Sequence, residues 1–212
     1  MHNTLYIILY TLYNPMSPQT FIFIGRSGCG KGTQAELLQK VLKEKDSSNE
    51  IFYLETGANF REFIKGEKYS NKLASQIMSK GDRQPDFLAI WMWSHALLDK
   101  FHGTGHLFFD GITRSLPEAM IFTTALEFYQ RKATVIYLNV SREWSKERLL
   151  ARKRTDDINE EEVEKRLNWF DRDSVPAIGY FRVNERYKLI PVNGEQTVEK
   201  VQADILEKLA WL

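Results

Sequence analysis

Cysteine is almost absent from this sequence, which contains a single one, Cys29. One cysteine excludes an intramolecular disulfide framework and a zinc site built from cysteines. It fits a reducing compartment, so we expect a cytoplasmic protein. An excess of charge of one sign is also lacking, because 29 Lys and Arg face 28 Asp and Glu. The composition therefore gives no reason to expect nucleic acid as a partner.

An apolar run near the N-terminus is too short to cross a membrane. Residues 5–13 read LYIILYTLY, whereas a spanning helix needs about 20 residues. No Lys or Arg precedes the run and no small-residue cleavage site follows it, so a signal peptide is disfavoured. We expect residues 1–15 to be an extension, either a further strand or an unstructured segment, with Met16 as an alternative start. Residues 16–212 fit one domain, and we expect a monomer without a membrane partner.

Apolar runs and helical patterns alternate along the rest of the chain. Strands are predicted at residues 20–24, 51–54, 106–110, 134–140 and 187–192. Helices are predicted at 33–45, 58–66, 70–80, 86–101, 116–131, 142–152 and 197–210, and from about 159 with interruptions at Pro176 and Gly179. Such alternation predicts an α/β fold, a doubly wound five-stranded parallel sheet with helices on both faces.

A glycine-rich segment, GRSGCGKGT, joins the first predicted strand to the first predicted helix. Its glycines allow a tight turn that points backbone N–H groups at one anion. The helix presents its N-terminus to the same place, and Lys31 adds a charge for the β- and γ-phosphates of a nucleotide. A glycine-rich turn with a chance lysine is the alternative. The predicted ATP-binding residues here are Gly25, Ser27, Gly28, Cys29, Gly30, Lys31, Gly32 and Thr33.

The variant GKGTQ, in which Gly32 separates Lys31 from Thr33, resembles the nucleoside monophosphate kinases, most of all the adenylate kinases. The resemblance runs from about residue 20 to the C-terminus. It implies a P-loop kinase with a monophosphate-binding insert at about 55–85 and a short lid at about 150–158. Four further segments match in order: ETGANFREF at 55–63, FFDGITRSLPEA at 108–119, RLLARKRTDD at 148–157, and PVNGEQ at 191–196.

Phosphoryl transfer depends on positioning and on neutralising charge, so such a site needs several cations. The resemblance implies catalytic roles for Lys31, Arg114, Arg152, Arg154 and Arg166, and it adds Arg148 and Gln196 to the ATP side. It implies a monophosphate site formed by Thr56, Gly57, Arg61, Met78, Gly111, Arg114 and Glu118. A solvated surface position is the alternative for any single arginine.

An acid at the end of the third predicted strand, Asp110, is the best candidate for a Mg²⁺ shell, and the resemblance implies that it acts through water, with Thr33 as the second metal-side residue. No general base is evident, which fits an acceptor whose phosphate oxygen is already an anion. Four residues at three places depart from the family pattern. Ala58 replaces an Asp, Ile112-Thr113 replaces Phe-Pro, and Glu118 replaces the glutamine that reads adenine.

The sequence therefore predicts an enzyme that transfers the γ-phosphoryl group of Mg-ATP to a nucleoside monophosphate. AMP is the expected acceptor, with GMP, CMP or UMP as alternatives because an ionised Glu118 can only accept hydrogen bonds. A solvated first-turn position is the other interpretation of Glu118. A non-catalytic nucleotide-binding relative also stays open. A GTPase is disfavoured, because the chain has no Asn-Lys-x-Asp motif.

Two further expectations concern single side chains. Cys29 lies beside Lys31 near a helix N-terminus, which predicts a lowered thiol pKa and a reactive thiol, with an inert small residue as the alternative. Trp91 and Trp93 are expected at the core and surface of the 86–101 helix, with a wall of the monophosphate pocket as the alternative.

Overall fold

The computed structural model describes residues 17–151 and 160–210. The predicted N-terminal extension and most of the predicted lid, including Arg152 and Arg154, lie outside these residues. The strands are β1 (Thr20–Gly25), β2 (Ile51–Glu55), β3 (His106–Asp110), β4 (Ala133–Asn139) and β5 (Tyr187–Asn193). The helices are α1 (Lys31–Lys45), α2 (Thr56–Phe63), α3 (Tyr69–Met78), α4 (Asp86–Lys100), α5 (Leu116–Phe128), α6 (Arg142–Ala151), α7 (Glu160–Trp169), α8 (Val175–Val183) and α9 (Val198–Leu209), with a π-helix at Phe170–Ser174.

The five strands form one parallel sheet in the order β2-β3-β1-β4-β5. All six residues of β1 are buried, because helices cover both faces and exclude water from the central strand. One apolar cluster contains Trp93, Phe109 and Phe181, and a second contains Phe21 and Leu38. The doubly wound α/β fold predicted from the sequence is confirmed. Within the described residues, no helix combines the length and the apolar character that a membrane crossing requires.

The strand order reverses beside β1, which pairs with β3 on one side and with β4 on the other. At such a switch point the loops after two neighbouring parallel strands diverge, and a crevice opens at their carboxyl ends. Here the loop after β1 is the glycine-rich segment, and the loop after β3 begins at Gly111. The fold therefore brings the two strongest sequence motifs to the same edge of the sheet.

The helical segment after residue 159 differs from its prediction. The chain stays helical from Glu160 to Val183, passing from α7 through the π-helix into α8. Pro176 occupies the first turn of α8, a position at which helices tolerate proline. The predicted interruptions at Pro176 and Gly179 are therefore wrong, because both residues lie within α8, which follows the π-helix directly.

A buried histidine and aspartate connect the start of β3 to the end of α1. The Nε2 atom of His106 lies 3.2 Å from Oδ2 of Asp46, and its Nδ1 accepts from the backbone N–H of Gln19 at 3.1 Å. His106 is therefore the neutral tautomer with its proton on Nε2. Asp46 also accepts from the side chains of Ser48 and Asn49 at 2.7 and 2.8 Å.

Protonation of either side chain of this pair destabilises the fold. Burial lowers the pKa of His106, against the opposing effect of Asp46. Burial favours the neutral form of Asp46, but hydrogen bonds from Asn49, Ser48 and His106 outweigh it and lower the pKa of the carboxyl. The unfolded chain therefore binds more protons than the native protein, and the free energy of unfolding falls as the pH drops below about 6.5.

We expect His106→Gln to cost about 1–3 kcal/mol at pH 7.5, because Asp46 loses a buried donor. Between pH 7.5 and 5 the variant should lose less of its remaining stability than the wild type. Urea unfolding across this range measures both effects. His102→Gln, at an exposed position, is the matched control and should keep the wild-type profile. A wild-type pH dependence in His106→Gln would contradict the assignment.

Candidate active site

A cleft of about 630 Å³ opens at the carboxyl ends of β1 and β3. It brings together residues from the glycine-rich loop, the end of β2, the segment before α4, the loop after β3, and helices α6 and α7. Most of the predicted site residues line it: Ser27, Gly28, Gly30, Lys31, Gly32, Thr33, Thr56, Gly57, Arg61, Met78, Asp110, Gly111, Arg114, Glu118, Arg148 and Arg166.

Three predicted ATP-side residues do not line the cleft. A Cβ atom on Gly25 would lie 2.5 Å from the carbonyl oxygen of Leu138, so this glycine is needed where β1 passes close to β4. The Cys29 side chain is buried. Gln196 donates its Nε2 to the Asn193 carbonyl at 2.9 Å and to Asp204 at 2.8 Å, at the turn before α9.

The glycine-rich loop has the backbone geometry that the motif predicts. Gly28 and Gly30 have φ values of 84° and 94°, in the left-handed region that favours glycine. Gly30 caps the N-terminus of α1, whose free N–H groups and dipole favour an anion at this end. The Lys31 ammonium donates to the carbonyls of Gly25 and Arg26 at 2.9 and 3.0 Å. Its charge therefore lies beside the anion-binding end of the helix.

Asp110 places a carboxylate against this loop. A Cβ atom on Gly32 would lie 3.4 Å from Asp110 Oδ2, and the Tyr53 hydroxyl donates to the same oxygen at 3.5 Å. Burial raises the pKa of Asp110, while the charge of Lys31 opposes this effect. A nearby cation would favour the ionised carboxylate further.

These oxygen atoms fit a magnesium ion that arrives with a nucleotide. Mg²⁺ prefers oxygen ligands, keeps several waters, and is commonly held by one or two carboxylates together with substrate phosphates. Asp110 and the Thr33 hydroxyl both line the cleft. Among the described residues no group of three or more His, Cys, Asp or Glu could form a cage of protein ligands. The donor set therefore suits an ion shared with phosphates.

Two arginines converge on Gly57 at the start of α2. A Cβ atom at Gly57 would lie 3.2 Å from Nη1 of Arg61 and 4.0 Å from Nη2 of Arg114. Arg61 is held by Glu55 at 2.8 Å, and Arg114 donates its Nε to the Gly111 carbonyl at 2.6 Å. Burial lowers the pKa of Arg114. Two guanidinium groups that face one small residue can bind a phosphate with several hydrogen bonds.

Glu118 is buried beside Arg114 rather than solvated, so the interpretation of a solvated first-turn residue is wrong. Its Oε2 accepts from the backbone N–H of Arg114 at 2.7 Å, and its Oε1 is buried without a hydrogen-bond partner. Burial raises its pKa, and the N–H groups of Arg114 and Thr113 oppose that effect. Thr113 takes the left-handed conformation, with a φ of 55°. The carboxylate of Glu118 thus binds the loop in which Thr113 takes this conformation.

Several cleft residues have no counterpart among the predicted site residues. Arg83 lies between Asp86 and Asp173. The Arg114 guanidinium lies over the Trp169 ring, 5.8 Å from the ring centre. Gln84 donates its Nε2 to the Ala74 carbonyl at 2.8 Å. Its Oε1 is buried and unpartnered. Proximity in sequence does not reveal these residues, because the segments that surround the cleft are distant along the chain.

The predicted tryptophan positions are confirmed. Trp93 is buried against Phe122, with 5.2 Å between the ring centres. Trp91 is exposed and stacks on His95 at 5.3 Å. Neither tryptophan lines the cleft, because the helix turns their side chains toward the core and toward the outer surface.

The thiol of Cys29 is not activated, which contradicts the predicted lowering of its pKa. Burial raises the pKa of the thiol, and the charge of Lys31, whose Nζ lies 3.7 Å from Sγ, opposes the rise without reversing it. The side chain packs into the apolar core under the loop, against residues of β1 and β4. The loop exposes its backbone to the cleft and its cysteine to the interior.

We expect a thiol reagent to label the native protein at least about 10²-fold more slowly than the urea-unfolded protein, because labelling requires local opening. The signal comes from Cys29 alone, since the chain has no other cysteine. A small free thiol in the same buffers corrects for intrinsic reactivity. Similar corrected rates in both states would show an accessible thiol.

A parallel sheet with a glycine-rich loop after its central strand, facing a cleft lined by cations, is the fold of a P-loop kinase. The family model for adenylate kinase matches residues 23–186. An adenylate kinase of Flavobacterium psychrophilum is 34% identical over 191 residues, 88% of this chain and 95% of that protein. Adenylate kinase 1 of Synechocystis sp. is 34% identical over 189 residues, 89% and 95% of the two chains. The chain belongs to the adenylate kinase family, which confirms the resemblance and the predicted class of enzyme.

Proposed function

We propose that the protein transfers the γ-phosphoryl group of Mg-ATP to AMP and so forms two molecules of ADP. Membership of the adenylate kinase family supports this reaction over the alternatives. The observation that carries the proposal is the convergence of Lys31, Asp110, Arg61 and Arg114 on one cleft. It offers an anion site at the glycine-rich loop and a second one at Gly57, as a transfer between two phosphates requires.

In the proposed reaction an oxygen of the AMP phosphate attacks the γ-phosphorus, and the bond from that phosphorus to the β–γ bridging oxygen breaks. ADP leaves with the electron pair of that bond, and no proton has to be removed from the acceptor. The N–H groups of the glycine-rich loop and Lys31 hold the β- and γ-phosphates. Arg61 and Arg114 hold the acceptor phosphate in line for attack. Thr33 and Asp110 would hold Mg²⁺ through water, and the ion would supply positive charge that neutralises the phosphates.

The remaining cations are proposed to neutralise the transferring group. Arg166 reaches the cleft from α7, and Arg148 reaches it from α6, where its guanidinium stacks 4.4 Å from the centre of the Trp144 ring. We propose that Arg152 and Arg154, which lie outside the described residues, join them from a short lid at about 150–158. The segment at about 55–85 is proposed as the monophosphate-binding insert, and the protein is proposed to act as a cytoplasmic monomer.

A coupled assay of ADP formation tests the function. ATP is supplied with AMP, GMP, CMP or UMP in turn, and we expect AMP to give the highest kcat/KM. Preference for another monophosphate would move the assignment to a different kinase of the same class. Binding of ATP by calorimetry without turnover of any acceptor would show a non-catalytic relative.

Glu118 is proposed to affect the choice of base. Its unpartnered Oε1 can accept from the adenine N6 amine, but a carboxylate offers no proton to adenine N1. We expect Glu118→Gln, whose amide can do both, to raise the preference for AMP by about 1–3 kcal/mol in relative kcat/KM. The KM for ATP is the internal control, and an unchanged value would show that the substitution leaves the ATP side of the cleft intact. An unchanged ranking of the four acceptors would limit Glu118 to holding the N–H of Arg114.

A further inference from the structure

The π-helix Phe170–Ser174 contacts elements on both sides of the cleft. π-turns within helices are uncommon and often occur at functional sites. Three of its side chains contact different segments. Asp171 binds Arg26, Asp173 binds Arg83 as well as Arg172 in its own turn, and Ser174 donates to the carbonyl of Arg114 at 2.9 Å. The same helical segment begins with α7, which places Arg166 and Trp169 in the cleft.

The first of these contacts fixes the glycine-rich loop. Asp171 binds Nη2 of Arg26, a loop residue, and it also accepts from Nη1 of Arg142 at 2.5 Å. The Arg26 guanidinium lies 5.0 Å from the centre of the Phe170 ring. Its Nη1 donates to the Val140 carbonyl at 2.8 Å. The backbone carbonyl of Arg26 accepts a hydrogen bond from Lys31. Arg26 therefore links Asp171 to the phosphate-binding lysine.

The second contact fixes the acceptor side. Asp173 accepts from Nε of Arg83 at 3.2 Å, and Arg83 donates its Nη1 to Asp86 at 2.5 Å. Asp86 in turn accepts from the Ser115 hydroxyl at 2.7 Å, next to Arg114. Both side chains of the Arg83–Asp173 pair are less than one-fifth exposed, at 19% and 15%. This chain of contacts ends at the loop that carries the proposed phosphate-binding arginine.

We propose that Asp171 and Asp173 are positioning residues that set the two halves of the cleft from one turn of helix. Asp171 acts on the ATP side through Arg26, and Asp173 acts on the acceptor side through Arg83. Neither aspartate lines the cleft, so each acts through its arginine. An in-line transfer is sensitive to misplacement of about 1 Å, and two carboxylates in one turn of helix keep the two phosphate sites in register.

The inference rests on the proposed function, and it is tested by measuring the two substrates separately. We expect Asp171→Asn to raise the KM for ATP about 10-fold and to change the KM for AMP less than about 2-fold. Asp173→Asn should do the reverse. Glu127→Gln, which removes an ion pair with Arg186 away from the cleft, is the control and should leave both constants unchanged. Asp171→Glu and Asp173→Glu keep the charge and should show smaller shifts with the same substrate selectivity.

A merely structural role predicts a different result. If the π-turn only stabilises the fold, both aspartate variants should lower the melting temperature and raise the two KM values equally, or change neither. That pattern would overturn the inference. Calorimetric binding of ATP and of AMP, each alone, reports the same split without turnover. If the wild type turns over no acceptor, the proposed function fails, and this is distinguishable from equal KM shifts in an active enzyme.

Discussion

Lys31→Met is expected to lower kcat about 10²–10³-fold, the usual cost of removing one electrostatic contact to a reacting group in an active site. Methionine keeps the length and the apolar stem of the side chain but removes the charge that the transferring phosphate would meet. Within the described residues, the hydrogen bonds of the ammonium go to its own loop, to the carbonyls of Gly25 and Arg26 and to the sulfur of Cys29. We therefore expect the free energy of unfolding to change by about 1 kcal/mol or less.

Turnover of ATP with AMP and urea unfolding of the same preparation measure the two effects. Lys40→Met makes the same substitution at an exposed position of α1, so it controls for the general loss of a positive charge. It should retain wild-type turnover. A folded Lys31→Met protein with wild-type turnover would remove the glycine-rich loop from the reaction.

Arg114 is expected to be nearly as important as Lys31 for turnover. The substitutions Arg114→Lys and Arg114→Ala should separate the effect of its charge from that of its geometry. Arg114→Lys keeps the charge but loses the planar fork and the Nε bond to Gly111. We expect its kcat/KM for AMP to fall about 10²–10³-fold, because a lysine binds phosphate as a point charge and not bidentately. The KM for ATP should change little, since the proposed contact is with the acceptor.

Arg114→Ala should additionally destabilise the protein. Burial raises the pKa of Glu118, and the charge of Arg114 opposes that rise, so removal of Arg114 leaves the buried carboxylate less well compensated. We expect a loss of about 1–3 kcal/mol in the free energy of unfolding, which Arg114→Lys should largely avoid. Arg186→Lys, far from the cleft, is the control for both readouts. Equal kinetics for wild type and Arg114→Lys would contradict bidentate binding of the acceptor.

The sheet and the phosphate loop could be predicted because their signals are local. A strand buried on both faces is a continuous apolar run, and the run at 20–24 differs from β1 by only one residue. The loop required glycines at Gly28 and Gly30, where φ is positive. Local patterns of this kind do not depend on what the rest of the chain does.

Other features depend on tertiary contacts that a local pattern does not contain. Cys29 lies two residues before Lys31 in sequence, but the loop turns its side chain into the core, and burial outweighs the nearby charge. Pro176 looks like a helix breaker, yet it falls in the first turn after a π-helix. Arg83 has its partner at Asp173, in a distant segment. The cleft residues that the sequence did not predict also owe their positions to contacts between distant segments.

The central position of β1 has a consequence for how the chain is made. β1 leaves the ribosome before every other strand of the sheet, but its partners are β3 and β4, with Thr20 paired to Leu107 and Phe21 paired to Thr134. Sheets built from such distant pairings fold slowly. During synthesis at about 5–20 residues per second, β1, which is fully buried in the folded protein, waits several seconds for its neighbours. We therefore expect the nascent chain to be more prone to aggregation before β4 emerges than after it, because residues 20–24 have no partner strands until then.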